Sequence, residues 1–574
     1  KKQLQLSRKG ILNQLGSADH TIFIKWKRIV QTQRGYESRD GLPAPFIGSP
    51  DHLYLRYKMA VGNDFKMGFI AEKDNGEPFY YPEKIYGADY FSFHVFAKDI
   101  TERIKTIALG DYSISLGQGL IMHSGFGAGK SSLTTSIRKG GYAIRAYSSV
   151  AEFNFLRGGA ATIKLARNLE ITSFVSSKRR NSGRIILDDE PFAGNFISSL
   201  PLGGLNQTEA QIERKNLVNQ QSAGTSVKYR FRKGHVAAQA VVDRLNVNLV
   251  PSEALYQNFF PSGNLFVNGS IDYGFNWRNF NFFGESAIDR DLGPAHMHGV
   301  LAGLDKTLDL VVAYRNYSKN YQSLSANAFG ESPLATNESG IYMGLEYRPS
   351  KMWVISAYAD QWRNRWAKFR VDGPGHGREY FLRLKYFKKR KWELYAQYFF
   401  EQKPRNLDQQ IDIPVDNTRQ RLRLHGSYRL TKAWTLRNRL EFSWYDIYQS
   451  SKYSGFMLYQ DLVYKPIGKD YSFVGRYVIF DIDDFDARIY AYENDILNEY
   501  YIPAYNGRGS RFYINTRVRV TRSIIAEARY EITQLSEPFR DEDGDLLNNR
   551  FGSGNTLIDG PVRSQVKAQI KYRF

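Results

Sequence analysis

Apolar and polar residues alternate one by one over many short stretches of this chain. In residues 565–574, Val566, Ala568, Ile570, Tyr572 and Phe574 fall on one parity, and Gln565, Lys567, Gln569, Lys571 and Arg573 on the other. A period of two places alternate side chains on opposite faces of a β-strand. The pattern recurs where Leu422, Leu424, Tyr428 and Leu430 alternate with Arg421, Arg423, His425, Ser427 and Arg429. After only Thr431, Lys432 and Ala433, the next run sets Trp434, Leu436, Leu440, Phe442 and Trp444 against Arg437, Arg439 and Glu441. Similar runs cover 392–401, 512–521 and 227–232, and 53–61 joins 65–73 through Gly62, Asn63 and Asp64. Such pairs read as β-hairpins.

Connections alternate in length. Tight turns fall near Asn63, Gly234, Asn279, Lys306, Ser350, Lys389, Lys432, Lys469 and Arg522, with long polar segments between them at 182–222, 317–338, 402–417 and 535–560. Short turns at one end and long loops at the other predict an all-β, antiparallel transmembrane barrel of about 26 strands, with the turns periplasmic and the loops extracellular. Residues 20–574 are read as this one barrel and residues 1–19 as a periplasmic lead-in or first strand. Two regions do not resolve into strands: the glycine-rich 104–165, and 481–510, which reads either as two strands or as one folded loop. The segment 208–219 is a candidate short helix.

Composition fits the pattern. Tyr (39) and Phe (37) bring aromatics to 15%, yet 24% of residues are charged and mean hydropathy is negative. A membrane barrel interleaves the two kinds residue by residue and rings its interfaces with aromatics. No apolar run approaches the roughly 18 residues of a helical span. The chain opens at Lys1 without Met or an apolar leader, as expected of a mature protein or of a truncated chain whose leader is gone. There is no cysteine, hence no disulfide or thiolate metal site.

The formal charge is +21, from 79 basic and 58 acidic residues. The basic residues are spread along nearly every strand, which assigns them to a lumen lining rather than to a nucleic-acid patch. The residues predicted to line it are Arg383, Lys385, Arg421, Arg423, Arg429, Arg437, Arg439, Arg517, Arg519, Lys567, Lys571 and Arg573.

Candidate chemistry is sparse. Residues 125–132 read Gly-Phe-Gly-Ala-Gly-Lys-Ser-Ser, but the phosphate-loop pattern needs glycine where Ser124 stands, and no strand-to-helix context follows. A glycine-rich loop or lumen constriction is the better reading. His296 and His298 share one face of a strand without an identifiable third ligand, so a lumen-facing or interfacial pair outweighs a metal site. Asp541, Asp543 and Asp545 alternate like calcium ligands, but Gly544 falls at the fourth position instead of the sixth. These, and Asp481, Asp483, Asp484 and Asp486, read as solvated acidic loops. No Ser, His and Asp spacing marks a catalytic triad. No cofactor, metal or catalytic residue is expected.

Several segments occur together: Leu-Gly-Asp-Tyr at 109–112, Leu-Gly-Gln-Gly-Leu at 116–120, Ser-Gly-Phe-Gly-Ala-Gly-Lys at 124–130, Leu-Arg-Gly-Gly-Ala-Ala at 156–161, and Ala-Arg-Ile-Tyr-Ala-Tyr-Glu-Asn-Asp at 487–495. In this order they resemble the barrel portion of the Bacteroidetes outer-membrane proteins called helix-hairpin-helix domain-containing proteins. The resemblance spans essentially the whole chain and implies a Bacteroidetes outer membrane. Residues 1–20 contain no helix-hairpin-helix, so DNA binding does not transfer and nucleic acid is not an expected partner. Phe574, with Tyr572 and Ile570 on the same face, resembles the signal read by the barrel-assembly machinery. The expected partners are outer-membrane lipid and lipopolysaccharide, that machinery, and other outer-membrane or periplasmic proteins.

The leading expectation is a non-enzymatic barrel without a plug of its own, acting as a channel or scaffold subunit of a complex for protein insertion or export. The alternative is a free-standing pore for anionic or polar solutes, with DNA uptake a weaker third and a barrel-embedded hydrolase a fourth.

Overall fold

In the computed structural model the described residues are 16–125, 129–183, 185–186, 196–332, 334–407, 413–448, 450–536 and 550–574. A single antiparallel meander closes on itself. The strand Asp19–Ile29 pairs with His52–Val61 on one side and with Val562–Arg573 on the other, in a register that sets Ile24 opposite Ile570 and Trp26 opposite Ala568. The wall contains 24 strands. This agrees with the expected number of about 26, and in the two regions that alternation left open the chain does not stay in the wall. Between Ile104–Ile114 and Leu156–Ala166, and again between Tyr471–Ile482 and Gly507–Arg519, the chain leaves the wall and turns inward.

Closure follows from the solvent. In hydrocarbon every backbone N–H and C=O must be bonded within the protein, and a closed ladder leaves no edge. The outer face is apolar along the whole circumference: Val175, Ile271, Ile341, Met343, Leu424 and Tyr477 are all exposed. Their adjacent, opposite-phase neighbours Phe174, Asp272, Tyr342, Arg423 and Arg476 are turned inward and shielded. A wall that is greasy outside and polar within is an integral outer-membrane barrel. None of the described helices is long and apolar enough to cross a membrane. One short helix, Glu209–Glu213, starts at a capping box in which the Thr208 hydroxyl accepts from the Gln211 N–H and the Gln211 side chain accepts from the Thr208 N–H.

Candidate functional site

The lumen is occupied by the chain itself, which corrects the expectation of a barrel without a plug. Residues 115–125 and 129–147 leave the long-loop end of Ile104–Ile114, descend into the lumen, and return to pair Ile144–Ala146 with the end of the same strand. Leu116, Leu120, Ile121, Met122 and Ile137 pack against the inward-facing Val241, Phe283, Met297, Val311, Tyr342 and Phe381. A second segment, residues 318–332 and 334–337, folds onto the first through Tyr321, Ala328, Phe329 and Ala335. The Tyr321 hydroxyl donates to the Leu120 carbonyl at 2.8 Å, and the Lys139 ammonium bonds the Asn327 carbonyl.

The motif at 116–120 has a structural purpose. Gly117 and Gly119 adopt φ of +50° and +85°, so the backbone N–H groups of Gln118 and Leu120 both point at the Glu285 carboxylate, at 2.6 and 3.0 Å. A Cβ on Gly117 would lie 2.6 Å from that carboxylate. Successive N–H groups in such a turn form a concave anion site, and here the anion is a side chain of the wall. The phosphate-loop look-alike is equally occupied. Lys130 lies 2.7 Å from Glu331, 3.1 Å from Asp360 and 2.7 Å from Glu379, with Trp362 at 4.4 Å. Its ammonium pins the inner segment to carboxylates of the wall and of 318–337. Deeper, Arg138 donates to Asn281 at 2.8 Å, next to the short turn at Asn279.

A third segment, 483–506, fills the other side of the lumen. Ala487, Ile489 and Ala491 pack on Tyr445, Met457, Val478 and Phe480. Beyond them its tip is acidic. Glu493 accepts from Arg511 at 2.8 Å and pairs with Arg529, Asp495 pairs with Lys567, and Glu499 pairs with Lys25.

The predicted basic residues divide into groups. Lys567 is buried against that tip, and Arg439 is buried between Glu441 and the Tyr490 carbonyl. Arg423 makes a two-pronged contact with Glu441 at 2.9 and 3.1 Å. Arg383 stacks on Tyr395 at 4.6 Å and bonds Gln397, Arg421 lies over Phe399 at 4.3 Å, and Lys385 pairs with Glu393 at 2.8 Å. Arg437 stands opposite Asp461 in register, and Lys571 lies over Phe23. Arg517 is half-exposed 3.7 Å from Glu527. Arg429, Arg519 and Arg573 reach solvent at the short-turn end, the last two beside Asp470 and Asp19. Ile570, Tyr572 and Phe574 are exposed on the outer face, where Phe574 stacks on Tyr572 at 5.1 Å and on His20 at 5.2 Å.

Sequence reading missed the buried cations Arg315 and Arg476 and the acids that answer them, Glu338 and Asp360 around the first and Asp461 beneath the second. The signal was present, since each acid lies on the parity opposite to the outward apolar residues of its own strand, such as Ile341 and Met343, Trp353, and Leu458 and Leu462.

His296 and His298 face away from the lumen, on the opposite side of their strand from Ala295 and Met297. They share the Ser286 hydroxyl at 3.0 and 3.3 Å, and His298 also meets the Tyr273 hydroxyl at 3.1 Å. Among the described residues no carboxylate joins them. Asp541, Asp543 and Asp545 lie outside the described residues. Among the others, Asp483 accepts from Ser454 and Asp481 from Arg508 at 2.8 Å, while Asp484 caps the turn at Asp486. Two groups bring three ligand-type side chains together among the described residues: His52 with Glu72 and Asp74, and Glu331 with Glu379 and Glu401. In the second, Lys130 and Lys403 already stand where a cation would.

The fold and its filled lumen define an integral outer-membrane β-barrel that is occluded by its own chain. Among solved structures it is similar to the copper transporter OprC, with 11% identity over 97% of this chain and 80% of that one and a TM-score of 0.44. It is likewise similar to the siderophore receptor PirA from Pseudomonas aeruginosa (7%, 97% and 80%, TM-score 0.43) and to the FrpB iron transporter from Neisseria meningitidis (9%, 97% and 81%, TM-score 0.41). No family model and no curated protein matches the chain. Likeness at this level says nothing of what the chain binds or moves.

Proposed function

We propose that this chain is a closed, non-enzymatic barrel that serves as a scaffold or channel subunit of a larger outer-membrane assembly. One observation carries the reading: three segments of the chain fill its lumen through buried apolar and ionic contacts. A free-standing diffusion pore needs an open path, and an anion-selective one needs unpaired positive charge along it. Here most of the inward cations are matched by carboxylates. Partner binding is supported at the opposite, long-loop end, where the ribbon Tyr80–Tyr81 and Ile85–Tyr86 holds Phe79, Tyr80 and Tyr86 exposed to solvent. Aromatic residues of this kind are enriched where proteins meet.

In planar bilayers the purified chain should be silent, and deletion of residues 116–146 should produce stable conductance. Large ungated conductance from the intact chain would overturn the reading in favour of the pore. A partner that co-purifies stoichiometrically from native membranes in mild detergent should accompany the silent form.

The helix-hairpin-helix family assignment belongs to the same proposal. Its motif block at 116–120 and the described residues of the blocks at 124–130 and 487–495 lie on the inward segments, so a relative carrying these blocks should be equally silent. The assembly-machinery contact rests on the exposed aromatic face of the last strand: Tyr572→Asp should lower the amount of heat-modifiable barrel in the membrane, and unchanged levels would refute it.

A further inference from the structure

At the long-loop end a cavity of about 290 Å³ opens between residues 256–260, 319–332, 334–337 and 362–375, with Lys403 and Pro404 beside them. Aromatic rings build its sides. Phe259 meets Trp366 edge-on at 5.2 Å, and Tyr256 meets Phe260 and Phe369 edge-on at 5.7 and 5.6 Å. Phe369 stands at the lip, 68% exposed. The Lys319 ammonium lies over two of these rings, 4.3 Å from the centre of Phe259 and 4.9 Å from that of Trp366. Among the described residues no carboxylate pairs with it.

The polar groups around the cavity divide into used and unused. The Asn337 amide donates to the Trp366 carbonyl and its oxygen accepts the N–H groups of Arg365 and Trp366, while Asn364 donates to the Asn337 carbonyl. Glu331 is held between Lys130 at 2.7 Å and Lys403 at 3.1 Å. Lys403 also bonds Glu401 at 2.9 Å, and Lys368 has Glu338 only at 4.0 Å. The lining therefore sets three lysines against one carboxylate, and the capacity left for a ligand is cationic.

We propose that this cavity binds a small organic anion with a flat apolar body, of the aromatic carboxylate class, its charge on Lys319 and its ring against Phe369 and Tyr256. Aromatic side chains favour offset or edge-on contact with a second ring. An ammonium kept from bulk water by rings attracts an anion more strongly than one in open solvent. A neutral sugar would need the amide groups, which are already bonded, and a cation would meet Lys319. The volume is at the small end of the roughly 300–1,000 Å³ usual for ligand pockets, which suits a one- or two-ring compound. The floor at Glu331 is also the contact that holds Lys130 of the inner segment, so the bound anion would sit beside the fastening of the occluded lumen. This site does not depend on whether the barrel has protein partners.

The test uses the full chain in lipid nanodiscs, with 2-naphthoate as probe and 2-naphthalenemethanol and maltose as neutral comparators, read by equilibrium dialysis. Saturable 2-naphthoate binding is expected, about tenfold tighter than that of the alcohol, as one charge-assisted contact would give. Lys319→Gln should weaken it by a similar factor, Lys319→Arg should retain it, and Phe369→Ala should weaken it several-fold. Each variant is checked for heat-modifiable mobility. Should Lys319→Gln fail to assemble, the exposed Phe369→Ala and the neutral alcohol still decide. Absence of saturable naphthoate binding, equal binding of the alcohol, preference for maltose, or wild-type affinity in both Lys319→Gln and Phe369→Ala would each overturn the proposal.

Discussion

The two largest inward segments close the same lumen by opposite means. Residues 115–125 and 129–147 present Leu116, Leu120, Ile121, Met122 and Ile137 to a wall that is itself apolar at that place, and add polar contacts at Gln118, Leu120 and Lys130. Residues 483–506 begin on an apolar foot but end in Glu493, Asp495 and Glu499, set among Arg511, Arg529, Lys567 and Lys25. Apolar burial is non-directional and tolerates small shifts. A buried ion pair is different: its Coulomb gain only offsets the desolvation of two charges, so it adds little net stability, yet losing one partner is severe. The first segment should hold by quantity of contact and the second by completeness of pairing.

The largest expected effect breaks the second mode. Glu493 receives both Arg511 and Arg529 and also the Tyr505 hydroxyl at 2.6 Å, with no solvent access. Glu493→Gln removes the negative charge that two buried guanidiniums share and turns one of its two acceptor oxygens into an N–H donor facing them, at a cost of about 3–5 kcal/mol to local stability. Hydrogen exchange in 487–505 should accelerate accordingly while 116–137 stays protected. Equal acceleration of both segments would show that they unfold as one unit.

A somewhat smaller effect is expected in the first mode. Leu120 has no solvent access within the apolar cluster, and Leu120→Ala should cost about 2–5 kcal/mol depending on how far the neighbours relax into the space. Because no ion pair is lost, the change should be the same at low and high salt, whereas the ionic tip should respond to salt at its less buried contacts. A loss for Leu120→Ala that varies with ionic strength would mean that the Lys130 contacts, not the apolar cluster, hold the segment.

How legible this was in the sequence depended on the range of the contacts. Wall strands such as 414–429, 434–447 and 562–573 announce themselves because adjacent residues alternate and hairpin partners are near in sequence. The inward segments do not alternate, and what holds them is distant: Gln118 meets Glu285 and Lys130 meets Glu379, 167 and 249 positions away. Periodicity reports only local geometry, so these regions read as poor strands. Gly117 and Gly119 were visible, but their purpose requires knowing that Glu285 lies opposite. The lumen was read as basic because Arg and Lys outnumber acids in the strands, whereas charge inside a barrel is set by pairs across strands, such as Arg476 with Asp461. The orientation of His296 and His298 was open because both faces of their strand carry residues of similar character.

A third region sharpens the comparison, since it gathers buried carboxylates with too few cations. In the long-loop segments, Glu77 accepts the N–H groups of Asn206 and Asp74 at 2.8 Å each, and Lys215 is committed to Asp89. Burial, added to by the nearby Asp89, pushes Glu77 up to about 8 and Glu152 up to about 9, against an ordinary carboxyl near 4.3. A carboxyl whose value is raised in the folded state binds its proton more tightly there than in the open chain. Its contribution to closure is therefore complete below about pH 4 and is lost as pH rises through about 8 to 9. The loops 74–89 and 147–155 should exchange hydrogen faster at pH 9.5 than at pH 6 after correction for intrinsic rates. Glu77→Gln, which keeps the acceptor and removes the titration, should flatten part of that dependence. This is the smallest of the three effects because only surface loops open. If the loops tightened at high pH instead, Lys215 would have to neutralise the whole cluster, and the rim would behave like the tip of 483–506.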